Sequence, residues 1–370
     1  MMRCLAGLVL GIVLLMGSGC ETTEGEKLTK QEREAIRLEE ERAMLDRLQL
    51  AEITIAEILD PMVKVTAQYN SRESHGYVGA GLTSIEMVHF ELHGAARERG
   101  IGNGITVSYV MPGSAAAIGG LKRGDLLVEL NGRSLPKGSG GSFNWLQKRL
   151  RKEWLLEETN VLKIERGGEE MVLEVEAVQG NSYNIVIIPH MGATAHADGH
   201  NLFFDLMTVE GWSRERLEYL VANVLVQNSM RHEKMKTGNQ ALGMMVDLVA
   251  GLSGVNTGNI FQAIGRGAYE TGFLVESDLL ALYLLAYLDL DYEGYVAFWH
   301  ERLPRDRKER LTKVSKQRFD AMRQVVEEIK AKIEAGEEVY PTEYLAGEWK
   351  LLPPPEEIEK RVKEIESTED

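Results

Sequence analysis

The stretch Pro112–Gly132, PGSAAAIGGLKRGDLLVELNG, decides the fold of the first half of the chain. Pro112 and Gly113 turn the backbone, Ser114 caps a short helix, and Ala115–Ala117 let that helix lie close to a sheet. Gly120 ends the helix, Gly124 and Asp125 make a tight turn, and Leu126, Val128 and Leu130 alternate as one face of a strand. Asn131-Gly132 closes the strand, because both residues accept the positive φ that a hairpin turn requires.

This order of turn, helix, turn, strand and turn resembles a PDZ domain. Around it, Ile105–Val110 reads as a preceding strand, Phe143–Leu150 as the groove-side helix, and Val161–Ile164 with Met171–Val175 as a closing hairpin. Gly76-Tyr77-Val78-Gly79-Ala80-Gly81-Leu82 is similar to the glycine-rich carboxylate-binding loop of that family. The resemblance implies that Tyr77, Val78, Gly79, Ala80, Gly81 and Leu82 offer backbone N–H groups to a peptide C-terminus. An ordinary glycine turn is the alternative reading. Glu86–Asn103, a long connection, is expected to form a helix over the groove. Lys137–Ser142 is rich in Gly and Ser but lies inside this unit, so it is not a hinge between domains.

The second half is organised around Leu217–His232, LEYLVANVLVQNSMRH. Ahead of it stand Ile185–Ile188, Ala193–Gly199 and Leu202–Phe204, and the run Trp212–Leu217 starts a helix capped by Ser213. The pattern is similar to the strand, turn, edge strand and active-site helix of the HExxH peptidase family that contains the CaaX prenyl endopeptidases and HtpX. In H-E-x-x-H, two imidazoles at i and i+4 grip Zn²⁺ while the Glu takes a proton from metal-bound water. The resemblance puts these three positions at Asn223, Val224 and Gln227. A third ligand, four residues before an Asp on a later helix, falls at Leu274, with Asp278 as the retained Asp. None of the four can supply a zinc site, since carboxamides coordinate weakly and Val and Leu not at all. Asn223 and Gln227 are expected to bond across one helical turn. Thr312–Ser315 is similar to a further family element, with Lys313 and Val314 in place of its His and Pro. His89 with His93, and His196 with His200, are two-His pairs without a third ligand, and read as surface or hydrogen-bonded histidines. No cofactor is expected.

Composition and the chain ends set the outer bounds. The 370 residues carry 57 acidic against 42 basic side chains, a formal charge of −15, and no segment concentrates Lys and Arg, which argues against a nucleic-acid partner. Arg3, the apolar run Leu5–Met16 and Gly17–Gly19 before Cys20 resemble a bacterial lipoprotein signal, with Cys20 as the lipidated residue and Glu21 after it favouring the outer membrane. The only cysteines are Cys4 and Cys20, so nothing beyond this segment can form a disulfide. Glu21–Arg47 reads as an exposed helical stalk or tether, followed by a helix from Leu48 that Pro61 interrupts. Ala241–Gly254 reads as a buried helix, and the tail after Pro353 as a solvated extension.

The expected architecture is α+β: a mostly helical gluzincin-like peptidase domain with a small sheet, into which a PDZ β-sandwich is inserted. Its divisions are a signal at 1–19, a charged tether at 20–47, an N-terminal peptidase helix at 48–75, the PDZ unit at 76–180, the degenerate peptidase-like part at 181–345 and a tail at 346–370. The expected function is protein or peptide C-terminus binding by a catalytically inactive metallopeptidase homologue, anchored by lipid to the outer membrane and facing the periplasm. An active metallopeptidase with non-standard ligands is the alternative.

Overall fold

The computed structural model describes residues 28–69, 75–138, 140–149, 153–156, 158–230, 270–303 and 313–345. Cys20 and its signal-like segment, Arg231 and His232, Ala241–Gly254, Thr312 and the tail lie outside these residues. The chain divides into two compact units at Glu40/Glu41. The described part of the first is the exposed start of helix α1 (Lys30–Tyr69), closed by a reciprocal cap in which Glu32 accepts from the Thr29 N–H at 2.7 Å and Thr29 Oγ1 from the Glu32 N–H at 3.2 Å.

Within the second unit α1 runs through Pro61 to Tyr69, against the expectation of a break there. Ile55, Ile58, Leu59 and Met62 recur at helical spacing and are all buried. Pro61 and Glu57, whose carbonyl the missing N–H would have met, both lie on the exposed face, where water can satisfy that carbonyl. Burial of Met62, Val63 and Val65 beyond the proline offsets a cost of about 3 kcal/mol.

The β-rich part comprises β1 (His75–Tyr77), β2 (Ala80–Thr83), α2 (His93–Glu98), β3 (Ile105–Val110), α3 (Ala115–Ile118), β4 (Leu126–Leu130), β5 (Arg133–Ser134), α4 (Gly141–Lys148), β6 (Thr159–Arg166), β7 (Glu169–Glu176) and β8 (Val178–Gly180). A sheet of order β2-β3-β4-β6-β7, with β5 on β4, curls around Ile105, Leu127, Leu130, Leu146, Leu162 and Ile164, while β1 pairs separately with β8. The predicted hairpin is present, with Ile164 opposite Met171 and a Gly167-Gly168 turn at positive φ. The buried face of β4 differs from the expected alternation. Its register shifts between Leu127 and Glu129, a bulge that buries Leu127 and Leu130 and leaves Leu126 and Val128 partly exposed.

The helical part follows as β9 (Asn184–Ile188), β10 (Ala195–Ala197), β11 (Asn201–Asp205), α5 (Leu206–Gly211), α6 (Arg214–Ser229), α7 (Glu270–Tyr287), α8 (Tyr295–Glu301), α9 (Lys313–Ala335) and α10 (Thr342–Leu345). Its sheet has the order β10-β11-β9, so β10 and β9 are its edges, and Leu202–Phe204, expected at the edge, is central. The reason is burial: Leu202, Phe203 and Phe204 are buried on both faces of the sheet, as a middle strand requires. Phe204, Leu225, Leu280, Leu284, Phe319 and Met322 share one core with the second half of α1. No described helix is long and apolar enough to cross a membrane. The fold is a mixed α+β assembly.

Candidate functional site

The loop joining β1 to β2 is shaped by its neighbours. Val78 O accepts from the Ala116 N–H at 2.9 Å and Gly79 O from the Met111 N–H at 2.8 Å, which fixes the loop against the start of α3. Ser114 caps α3 as expected, its Oγ accepting from the Ala117 N–H at 3.2 Å. Gly79 has φ +73°, and a Cβ there would sit 2.4 Å from Ser114 Cβ; at Gly81 it would fall 2.1 Å from the Tyr109 ring. These two glycines make room for the protein's own side chains.

Tyr77 ties the loop to α1. Its hydroxyl donates to Asp60 Oδ1 at 2.8 Å, and Lys64 closes the group by pairing with Asp60 Oδ2 at 2.7 Å. Burial, Tyr109 and Asp60 together raise the Tyr77 phenol well above its usual range, so it stays a donor. Further along α1, Gln49 Nε2 donates to Ser108 O at 3.1 Å and Ser108 Oγ to Glu52 Oε1 at 2.9 Å. Half-buried between helix and sheet, Glu52 is pushed up to about 7 by desolvation, against the pull of the Ser108 hydrogen bond and of Arg123.

Beside the loop, Tyr77 and Val78 with Ser114, Ile118, Glu174 and Val178 line an open groove of about 970 Å³. Glu86–Asn103 does not form the single covering helix expected of it. It folds as two 3₁₀ turns, Ile85–Met87 and Phe90–Leu92, and then α2, which turns to α1: Glu98 pairs with Arg42 at 2.8 Å, and Arg99, just after it, with Asp46 at 2.7 Å. His89 and His93 belong to this segment and are not on one helical face. His89 Nδ1 accepts from the Glu91 N–H at 3.4 Å, and His93 Nε2 lies 3.0 Å from Val88 O. His196 stacks on Phe203.

In the helical part, Asn223, Gln227 and Asp278 are bound into one polar cluster. Ser213 caps α6, its Oγ accepting from the Arg216 N–H at 3.4 Å. Gln227 Nε2 donates to Asn223 Oδ1 at 2.6 Å, the bond across one turn that was expected. Asn223 Nδ2 then reaches Asp278 Oδ1 and Tyr295 Oη, each at 2.9 Å. Asp278 takes three more donors: Tyr295 Oη at 3.0 Å, Arg318 Nε at 2.6 Å and Arg318 Nη2 at 3.1 Å. Burial pushes the Asp278 carboxyl up, opposed by the guanidinium held against it. Val224 is buried, and Leu274 lies in α7 with its side chain outside the described residues. Among the described residues, no three His, Cys, Asp or Glu side chains converge as a metal site. Arg318 and Tyr295 belong to none of the motifs read in the sequence. A lone Arg beside the core residue Phe319 was the available signal that a buried carboxylate awaited it.

The turn-helix-turn-strand unit with its glycine loop is also where a known family matches the chain. Residues 71–139 match the PDZ domain family. They form a PDZ domain. The curated proteins contain no match to this chain. Among solved structures, the chain is similar to the HtrA-type protease AlgW with decapeptide, at 22% identity and a TM-score of 0.22 over 30% of this chain and 30% of that one. It is similar also to the HtrA3 PDZ domain bound to a phage-derived ligand (FGRWV), at 22% identity and a TM-score of 0.21, over 29% of this chain and 91% of that one. The chain therefore spans less than a third of the AlgW chain.

Proposed function

We propose that this protein binds other proteins through their C-terminal peptides at the PDZ domain, and that its helical part is a metallopeptidase homologue without catalysis. The observation that carries the second half is the closed hydrogen-bond set of Gln227, Asn223, Asp278, Tyr295 and Arg318. A working site of this kind needs imidazoles to hold the metal and a carboxylate free to take a proton from water. Here Gln227 donates to Asn223, Asn223 donates to Asp278 and Tyr295, and the carboxylate of Asp278 is bound to a guanidinium. The packing of edge strand β10 on α6 supports the likeness to a peptidase frame.

Peptide binding is supported by the match to the PDZ family and by β2, which is the end strand of its sheet, carries Ala80, Gly81 and Leu82 and follows directly on the loop Val78-Gly79. An extended peptide can add there as a further strand. In this reading the PDZ unit spans 76–180 and is inserted between the α1 helix and the peptidase-like part at 181–345, and the chain is a lipoprotein held at Cys20 on the periplasmic face of the outer membrane. Its role is to hold or present envelope proteins, or to regulate an active peptidase.

Two measurements test it. Anisotropy of a fluorescein-labelled pool of heptapeptides ending in Val, Ile, Leu or Phe is expected to rise with the free carboxylate and not with the C-terminal amide. Elemental analysis of the purified protein is expected to find no stoichiometric zinc. Zinc at one per chain together with cleavage of an unfolded substrate would overturn the reading of the helical part.

A further inference from the structure

The sheet of the PDZ unit ends in β2 on one side and in β7 on the other, and at the β7 end its outer face carries aliphatic side chains in water. Residues directly opposite one another on β6 and β7 project to the same face. Val161 stands opposite Glu174 and Thr159 opposite Glu176, and Val172 falls on that face two residues before Glu174. Val172 is 66% exposed and Val161 is exposed too, whereas Leu162, Ile164 and Val175 on the inner face are buried. The hairpin thus buries one face in the core and still leaves valines on the other, where a solvated sheet face calls for polar residues.

The open groove of about 970 Å³ adjoins this face, since Glu174 and Glu176 line it together with Glu158, Ile118 and Val178. Ile118 is 82% exposed, and Val178 is exposed as well. Four exposed aliphatic side chains therefore gather on or beside one concave surface, and such gathering, unlike single scattered residues, marks a place of contact. The charge there has one sign. Among the described residues no Lys or Arg pairs with Glu158, Glu174 or Glu176. Lys64, which reaches the groove from α1, is held by Asp60 at 2.7 Å, and Lys163 of the outer face by Glu170 at 2.7 Å.

We propose that this groove and the adjoining face of β6 and β7 form a second binding surface, for a segment of a partner protein in which Lys or Arg alternates with aliphatic residues. The aliphatic side chains of the segment cover Ile118, Val178, Val161 and Val172, and its cations supply the charge that the three glutamates lack. A second copy of this chain does not suit the surface, because face-to-face pairing would set the same carboxylates against each other. Nor does a C-terminal carboxylate, which the glutamates repel. The surface is therefore separate from the edge of β2 and takes an internal segment, so it does not depend on the peptide-binding reading above.

The test uses the full chain and a fluorescein-labelled peptide of alternating Lys and Val, amidated so that it offers no C-terminal carboxylate. Its anisotropy is expected to rise with added protein, and the affinity to fall about tenfold in Ile118→Ser, which removes one covered aliphatic side chain. Glu174→Lys/Glu176→Lys is expected to abolish binding. Should that variant fail to fold, Ile118→Ser decides, since a side chain so exposed is not needed for folding. Equal binding of native protein and Ile118→Ser would overturn the proposal, and so would equal binding of a peptide with Ser in place of Val, which would reduce the effect to attraction by an acidic chain. Displacement of the amidated peptide by the free-carboxylate heptapeptide pool would overturn it too, by placing both in one site. Binding of the pool without binding of the Lys-Val peptide removes this surface and leaves the peptide-binding reading standing; the converse result does the reverse.

Discussion

Gln227 and Asn223 stand one turn apart on α6, and the amide of the first donates to the amide oxygen of the second at 2.6 Å. This orients Asn223 so that its own Nδ2 faces Asp278 and Tyr295, which it reaches across the interface with α7 and α8. These two side chains together direct a donor at a buried carboxylate.

Replacing Asn223 by Ala should therefore destabilise the protein. It removes one donor from Asp278 and leaves Gln227 Nε2 without its acceptor, a loss of about 2–3 kcal/mol. Urea denaturation gives the value; a change below about 0.5 kcal/mol would show that the network contributes nothing to stability.

Arg318→Met leaves the carboxylate of Asp278 buried with only neutral donors, at a cost of about 3–5 kcal/mol. Adding Asp278→Asn to it should recover much of that loss, because the uncompensated charge is gone. A double-mutant cycle measures the coupling, and additive losses would contradict it.

Glu52 makes stability depend on pH. Its carboxyl titrates near 7 in the fold against 4.5 when unfolded, so its favourable contribution is complete below pH 4.5 and is lost as pH rises through 7. Glu52→Gln should accordingly be more stable than the native protein at pH 8, by about 1–2 kcal/mol, and gain little at pH 4.5. Thermal melts at the two pH values check the sign, and an equal gain at both would rule out titration of Glu52 as the source.

Gly81→Ala should lower the stability of the PDZ domain by about 1–3 kcal/mol, because the new methyl meets the Tyr109 ring. Its effect on peptide binding is then inseparable from folding. Circular dichroism melts of Gly81→Ala show the loss directly; an unchanged melt would mean that Tyr109 can move aside.

Much of the fold was legible because the signals were local. Ser114, Ser213 and the turns at Gly124 and Asn131 act within four residues of themselves, and each was found where its chemistry put it. Errors came where distant burial outweighed local pattern: Pro61 did not stop α1, a bulge changed the inner face of β4, and Leu202–Phe204 proved to be the central strand of its sheet. The polar cluster was half legible. The Asn223–Gln227 bond follows from helical spacing, but the partners of Asp278 do not.

By itself, the amino-acid order determined that a PDZ domain lies in the first half and that Asn223, Val224, Gln227 and Leu274 offer no zinc-binding set, because both facts reside in side-chain chemistry and short-range geometry. Only the tertiary structure decided what those side chains do instead. Asn223 meets Asp278 across 55 residues and Arg318 meets it across 40, and Ser182 reaches back 106 residues to Gly76. Contacts at such separations are set by how whole faces are buried against one another, and no local preference of the chain encodes them.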